Sequence, residues 1–360
     1  MAIVGRSKLY FRPFSYHYDN FAQDSAAAET GRDPRFPGFI NPALNKGDFL
    51  GGPAVVKATA MTKPTPPFPC RVCGGESASA GRKFGVYSNR WYELRHCARC
   101  RFSFVADPWT DFSAIYTQDY YRGKGADPLV DYEFELTAPD KTIRSYEWEG
   151  ILHVVAGLVP IGPGTRWLDF GCGNGGLLRH VKGQTGCDVT GFEEGHIAAR
   201  ARETGLPLVS RDELKQANGS FDVITAVEVL EHTMDPLAEV QWIRQLLKPN
   251  GVFFLTTGNA KPFRGRLSRW SYVVPEIHIS FFEPETIAWV MKQAGLEPEF
   301  KGWMPGFEKI IRFKVLKSLK IRRRSPWERL LPITSLSRLV DARFGVSGQP
   351  VGWKKCPAPG

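Results

Sequence analysis

Four of the chain's seven cysteines stand in two Cys-x-x-Cys pairs, Cys70/Cys73 and Cys97/Cys100, with 23 residues between the pairs. Two such knuckles bring four thiolates to one point, the donor set of a tetrahedral Zn²⁺. Four protein ligands leave no open coordination position, so the expected metal is structural and does no chemistry. The first residues, MAIVGRSKLYFRPF, lack the apolar core of an export signal, so the pairs point to metal before disulfides. Gly74 and Gly75 allow a tight turn after the first pair, and GRKFGVYSNRWYELRHC between the pairs can form short strands. Cys172, Cys187 and Cys356 belong to no such pair and are read as packing residues.

A second stretch with chemical meaning is WLDFGCGNGGLL, Trp167 to Leu178. Gly171, Gly173 and Gly176 fit G-x-G-x-x-G after an apolar strand and before a helix. That arrangement brings bare backbone close to a ligand at a helix N-terminus. Glu193 ends the next strand, where its carboxylate can accept both hydroxyls of a ribose. NAD and S-adenosylmethionine share an adenosine end, so both fit this far. Asp169, two residues before Gly171, separates them. A carboxylate there repels a pyrophosphate and attracts an ammonium and a sulfonium.

The elements that must position these residues are legible from Thr165 onward. TRWLDF, CDVTGFE, FDVITAV and GVFFLTTG read as strands, and GLLRHV and HIAARARETG as helices, the second stopped by Gly205. DPLAEVQWIRQLLKPNG reads as a helix with Asp235 as N-cap, Pro236 at its first position and Gly251 after its end. PETIAWVMKQAG carries Ile287, Val290, Met291 and Ala294 at helical spacing. Strands alternating with helices predict an α/β fold with a parallel sheet covered on both faces.

The set LDFGCGNGGLL, VTGFEEG, FDVITAVEVLEHTMDP, LLKPNGVFFLTT and HISFFEPETIAWVMKQAGLE resembles class I S-adenosylmethionine-dependent methyltransferases in order and spacing, over about residues 140–300. The resemblance implies a Rossmann-like sheet, mostly parallel, with the last strand antiparallel; LEPEFKGW and QPVGWKKC are the candidates for the last two strands. It places Asp169 and the Gly171–Cys172–Gly173 turn at the amino-acid part of the cofactor, and Glu193 on the ribose. It also places Phe192 or a neighbour beside the adenine, and Val227 and Glu228 over the methionine. With CRVCGG, YELRHCARCRFSFVADP and YTQDYY ahead of it, the chain is similar to bacterial methyltransferases with an N-terminal zinc ribbon, some of which act on sugars in glycan or secondary-metabolite pathways. Those sugar enzymes usually carry a further C-terminal domain, for which this chain has no room.

The expected function is methyl transfer to a small-molecule acceptor, a sugar or glycan intermediate being one candidate. An RNA methyltransferase and a non-catalytic scaffold on the same fold are the alternatives. The ribbon lacks the aromatic-basic clustering of RNA motifs, so no nucleic-acid partner is expected. Removal of an acceptor proton needs a base on the loops after the strands. His232, in EVLEH with Glu228 and Glu231, and His278, in PEIHISFF, are the candidates. Either histidine can equally serve as a hydrogen-bond partner of loop backbone. Tyr120 and Tyr121 are candidates to line the acceptor pocket.

The expected organisation is a disordered or over-extended segment over 1–67, a zinc ribbon over 68–105, a connector lining the substrate over 106–160, and the methyltransferase domain over 161–360. Met61 stands just before the first cysteine pair, and a chain beginning there is expected to keep its stability. No run of about 18 apolar residues occurs, and the expected location is cytoplasmic. Residues 301–360 hold 14 Lys/Arg against 3 Asp/Glu, while the rest of the chain is balanced. A basic insertion at about 306–343 accounts for most of this, with eight Lys/Arg between 309 and 324 among large apolar residues. Such a segment suits peripheral contact with an anionic membrane, or a helical cap packed on the fold with solvated charges.

Overall fold

The computed structural model describes residues 68–110, 115, 121–122, 131–299, 305–332 and 353–355. The expectations for residues 1–67, for Tyr120 and for Cys356 lie outside the described residues.

The apolar runs form the sheet they predict. β5 (Arg166–Phe170) is buried over its last four residues and lies between β6 (Asp188–Phe192) and β8 (Phe221–Val227), parallel to both. β7 (Leu208–Val209) extends the sheet beyond β6, and β9 (Leu247–Thr256) lies beside β8. β12 (Trp353–Lys355) then inserts antiparallel between β9 and β11 (Leu296–Pro298), so the order is β11-β12-β9-β8-β5-β6-β7. Strand order reverses at β5. The crevice at its carboxyl end is therefore the expected ligand site of such a sheet.

Local chemistry sets the helix ends. In α6 (Pro236–Leu246), the Asp235 carboxylate accepts from Ala238 N at 2.9 Å and Pro236 occupies the first turn. The helix stops five residues before Gly251, earlier than expected, and the chain enters β9 at Leu247. Pro249 explains this: its ring disfavours a helical residue before it and removes a backbone donor.

The cysteine module forms β1 (Phe68–Pro69), β2 (Glu76–Gly85), β3 (Arg90–His96) and β4 (Ser103–Val105). It does not stand apart from the rest of the chain. β10 (Ser280–Phe281), which follows β9, pairs antiparallel with β4 and completes a five-stranded sheet. Cys70, Cys97, Cys100, Phe102 and Phe104 share one buried cluster with Leu230, Leu255 and Phe282.

The basic insertion is packed as well. α8 (Phe307–Ser318) buries Phe307, Ile310, Ile311, Phe313 and Leu316 and crosses α2 (Arg144–Ala156). The crossing depends on two glycines. A Cβ on Gly150 would lie 2.6 Å from Ile310 Cγ1, and one on Gly306 would lie 2.6 Å from Gly150 O. The apolar residues read as membrane-facing therefore serve the fold along this helix. Two of the three consecutive arginines do too: the Arg323 guanidinium lies 4.5 Å from the Phe134 ring centroid, and that of Arg324 4.4 Å from Tyr146.

Candidate cofactor and acceptor site

At the carboxyl end of β5 the chain turns through Gly171 (φ 77°) and Gly173 (φ 55°) into α3 (Gly176–Thr185). A side chain at Gly171 would also meet Val229 at 2.6 Å, so this turn takes glycine on both counts. Gly171 N and Cys172 N donate to Phe192 O at 2.8 and 3.0 Å, which ties the turn to the end of β6. Glu193 locks the same corner: its carboxylate accepts from Gly173 N at 2.9 Å and from Gly195 N at 2.7 Å.

Asp169, Gly171, Cys172, Gly173 and Val227 line one cavity, together with residues the sequence reading missed. These are Tyr132 and Glu135 of α1 (Tyr132–Thr137), Arg144, Glu147 and Trp148 of α2, and Asn174. Arg144 bonds Glu147 at 2.7 Å and Glu135 at 3.3 Å. Asn174 donates to Glu135 at 3.0 Å. Asp169 is almost fully buried and accepts from Thr225 Oγ1 at 2.7 Å. Burial pushes its carboxyl up to about 7, with the Thr225 hydrogen bond opposing.

A neighbouring cavity is lined by Glu193, Glu194, Gly195, His196, Ser210 and Arg211, among others. Phe192 is part of the same lining, though it is almost fully buried and its ring packs on Phe170 (4.9 Å) and Trp242 (5.6 Å). Tyr121 reaches this corner: its hydroxyl lies 3.4 Å from where a Gly195 Cβ would stand.

The candidate bases form a second group, beyond β8. Glu228, at φ 54°, is not among the residues that line the first cavity. Its carboxylate meets Lys314 of α8 at 3.0 Å, Thr256 Oγ1 at 3.0 Å and Tyr272 Oη at 3.0 Å. Burial pushes Glu228 up, but Lys314 outweighs it and holds the carboxylate well below its usual range. Tyr272 Oη also lies 2.5 Å from Glu231 Oε1. Glu231 is fully buried, and burial and the neighbouring Glu228 push its carboxyl up to about 8.

His232 Nδ1 lies 2.8 Å from Ile277 O, and His278 Nδ1 lies 2.7 Å from Tyr272 O. A carbonyl only accepts, so each Nδ1 carries a proton and each neutral ring keeps its lone pair on Nε2. The two rings meet edge to face with centroids 4.9 Å apart. Glu231, His232 and His278 each bring a potential ligand atom within 4.8 Å of the others.

The four cysteines converge. Cys70 and Cys100 Sγ are 3.6 Å apart, Cys73 and Cys97 Sγ 3.5 Å, and all four lie within 4.8 Å of one another. A tetrahedron with Zn–S bonds of about 2.3 Å has edges of about 3.8 Å. The knuckles are alike: Cys70 O accepts from Gly74 N and Cys97 O from Arg101 N, both at 2.9 Å.

Alongside this sheet order and the glycine turn at its switch point, residues 141–299 match the family model described as a methyltransferase domain. Among known proteins the chain is similar to the ubiquinone biosynthesis O-methyltransferase of Ruegeria pomeroyi, 33% identical over 152 residues, 38% of this chain and 61% of that one. It is similar also to that of Bordetella avium, 35% identical over 153 residues, 38% of this chain and 63% of that one. The match thus spans less than two thirds of these relatives' length. A solved S-adenosylmethionine-dependent methyltransferase from Mesorhizobium loti superposes with a TM-score of 0.40 at 17% identity, over 56% of this chain and 95% of that chain.

Proposed function

We propose that the chain binds S-adenosylmethionine and transfers its methyl group to a hydroxyl of a small molecule. One observation carries this: a single cavity at the switch point holds both Arg144 and the buried acid Asp169. A methionyl group presents a carboxylate and an ammonium, and the cavity offers a partner for each. A pyrophosphate would face Glu135, Glu147 and Asp169 with negative charge of its own. Glu193 takes the ribose hydroxyls, and the adenine enters the cavity beside it, lined by Phe192, Glu193 and Arg211.

The transfer is an in-line displacement: an acceptor oxygen bonds the methyl carbon, the C–S bond breaks and its electron pair returns to sulfur. The acceptor's proton goes to Nε2 of His278 or His232. His278→Ala is expected to lower turnover about 10²- to 10⁴-fold while leaving S-adenosylhomocysteine binding intact. The acceptor class is tested with methyl-labelled cofactor against catechols, nucleotide sugars and RNA. The relatives' O-methyltransferase names and the stacked row Phe263, Trp270, Tyr272 and His278 favour an aromatic hydroxyl. Label in the sugar or the RNA alone would overturn that choice.

The cofactor pocket carries a pH prediction. Asp169 sits near 7, and a bound cation favours its ionised form, so binding releases a proton at lower pH. Affinity for S-adenosylhomocysteine is expected to rise from pH 5.5 to about 7 and then level off, by up to about tenfold per pH unit at the acid end. Asp169→Asn should flatten the profile. An unchanged slope in that variant would remove Asp169 from the site.

The cysteine tetrahedron is proposed as a structural Zn²⁺ site. Among the described residues no helix is long and apolar enough to cross a membrane. Peripheral contact is proposed through the part of the basic insertion that follows α8. Trp327 and Leu330 of α9 (Pro326–Leu330), with Leu319 and Leu331, are exposed, Trp327 at 78%. Sedimentation with anionic but not neutral liposomes is expected, and Trp327→Ala with Leu330→Ala should weaken it on the order of tenfold or more. Equal sedimentation of that variant would return α9 to a plain surface helix.

A further inference from the structure

The loop between β9 and α7 (Pro284–Gln293) carries Tyr272 and His278, and contacts with the cysteine module line it. Four kinds of contact converge there. First, Glu276 is fully buried, and its Oε1 accepts from Tyr87 N at 3.0 Å, Ser88 N at 3.2 Å and Ser88 Oγ at 3.0 Å, all at the tip of the β2–β3 hairpin. The fit is close: a Cβ on Gly85 would lie 2.3 Å from that oxygen. Second, Lys83 Nζ reaches Ser268 O at 3.0 Å and Trp270 O at 3.5 Å. Third, Ile279 O accepts from Val105 N at 3.0 Å and from Arg71 at 2.8 Å, beside the β4–β10 pairing. Fourth, Tyr92, Leu94 and Val105 of the module share one buried cluster with Leu267, Trp270, Val273, Ile279 and Phe281 of the loop.

The loop in turn fixes the two histidines. Tyr272 O and Ile277 O accept from their Nδ1 atoms, and Ile279 N donates to Glu231 O at 2.8 Å. The cofactor corner, by contrast, is built from β5, β6, α1 and α2. We propose that the cysteine module is a clamp on the acceptor side of the site, with Glu276 as the positioning residue that transmits its hold to Tyr272 and His278. The naming of that side as the acceptor side rests on the methyltransferase reading, but the clamp itself is a statement about the chain's own contacts.

The test uses the full, zinc-loaded chain and three measurements that need no acceptor: zinc content, S-adenosylhomocysteine affinity, and amide hydrogen exchange with histidine ring NMR. In Glu276→Ala, zinc should remain at one per chain and the affinity should stay within about twofold. Exchange at residues 267–281, Ile279 N–H above all, should quicken on the order of tenfold or more, and the His278 ring signals should shift. Glu276→Gln keeps an oxygen that can accept from all three donors and should restore both. If Glu276→Ala does not fold, Lys83→Met removes a separate strut and should loosen 267–270 alone. Unchanged exchange across 267–281, or a loss of cofactor affinity in step with it, would overturn the clamp. Methyl transfer is measured separately, so failure of that reading would leave these results standing.

Discussion

Glu193→Ala is expected to bind S-adenosylhomocysteine about 10²- to 10⁴-fold more weakly than the unchanged chain, by calorimetry. A ribose offers two hydroxyls to this carboxylate, and each charge-assisted hydrogen bond contributes about 1.5–3 kcal/mol. Loss of both costs about 3–6 kcal/mol, which is that range of affinity. A second effect adds to the first. Glu193 also accepts from Gly173 N and Gly195 N, so its removal leaves two turn donors without their partner and loosens the glycine turn itself. Glu193→Gln keeps one acceptor oxygen and should fall between. An Ala variant that binds within about threefold of the unchanged chain would place the ribose elsewhere.

The largest effect on stability is expected from Cys97→Ser. Cys97 is fully buried, in the cluster that also holds Phe102, Phe104 and Phe282. Structural zinc contributes about 10–16 kcal/mol to the folding of a small module, as much as a whole domain's net stability of about 5–15 kcal/mol. Because β4 also pairs with β10, the loss should spread into the loop between β9 and α7 that carries β10. The variant should purify without zinc and either aggregate or melt well below the unchanged chain. A metal-free variant melting within a few degrees of it would show that the four thiols need no ion.

The features that were legible in the sequence are those whose cause is local. Cysteine spacing placed the knuckles, apolar runs placed the central strands, and Asp235 with Pro236 placed the start of α6. The antiparallel last strand at Trp353–Lys355 was legible through family resemblance rather than through any period. The direction of the Phe192 ring was not legible for a physical reason. A strand in the middle of a parallel sheet is buried on both faces, so alternation does not say which way its rings point. Arg144 carried a faint signal, a charge at i,i+3 from Glu147 in the first turn of a helix. The Lys314–Glu228 pair carried none, since 86 residues separate its partners. A count of surplus Lys and Arg cannot show that Lys314 neutralises a buried carboxylate, or that Arg323 and Arg324 lie over aromatic rings.

The central claim is the identity of the cofactor, and calorimetric titration of the full, zinc-loaded chain at pH 7.5 with S-adenosylmethionine and, separately, NAD tests it most directly. The account predicts one S-adenosylmethionine per chain and no heat from NAD. Binding of NAD, or a folded chain that takes up no S-adenosylmethionine, would contradict it.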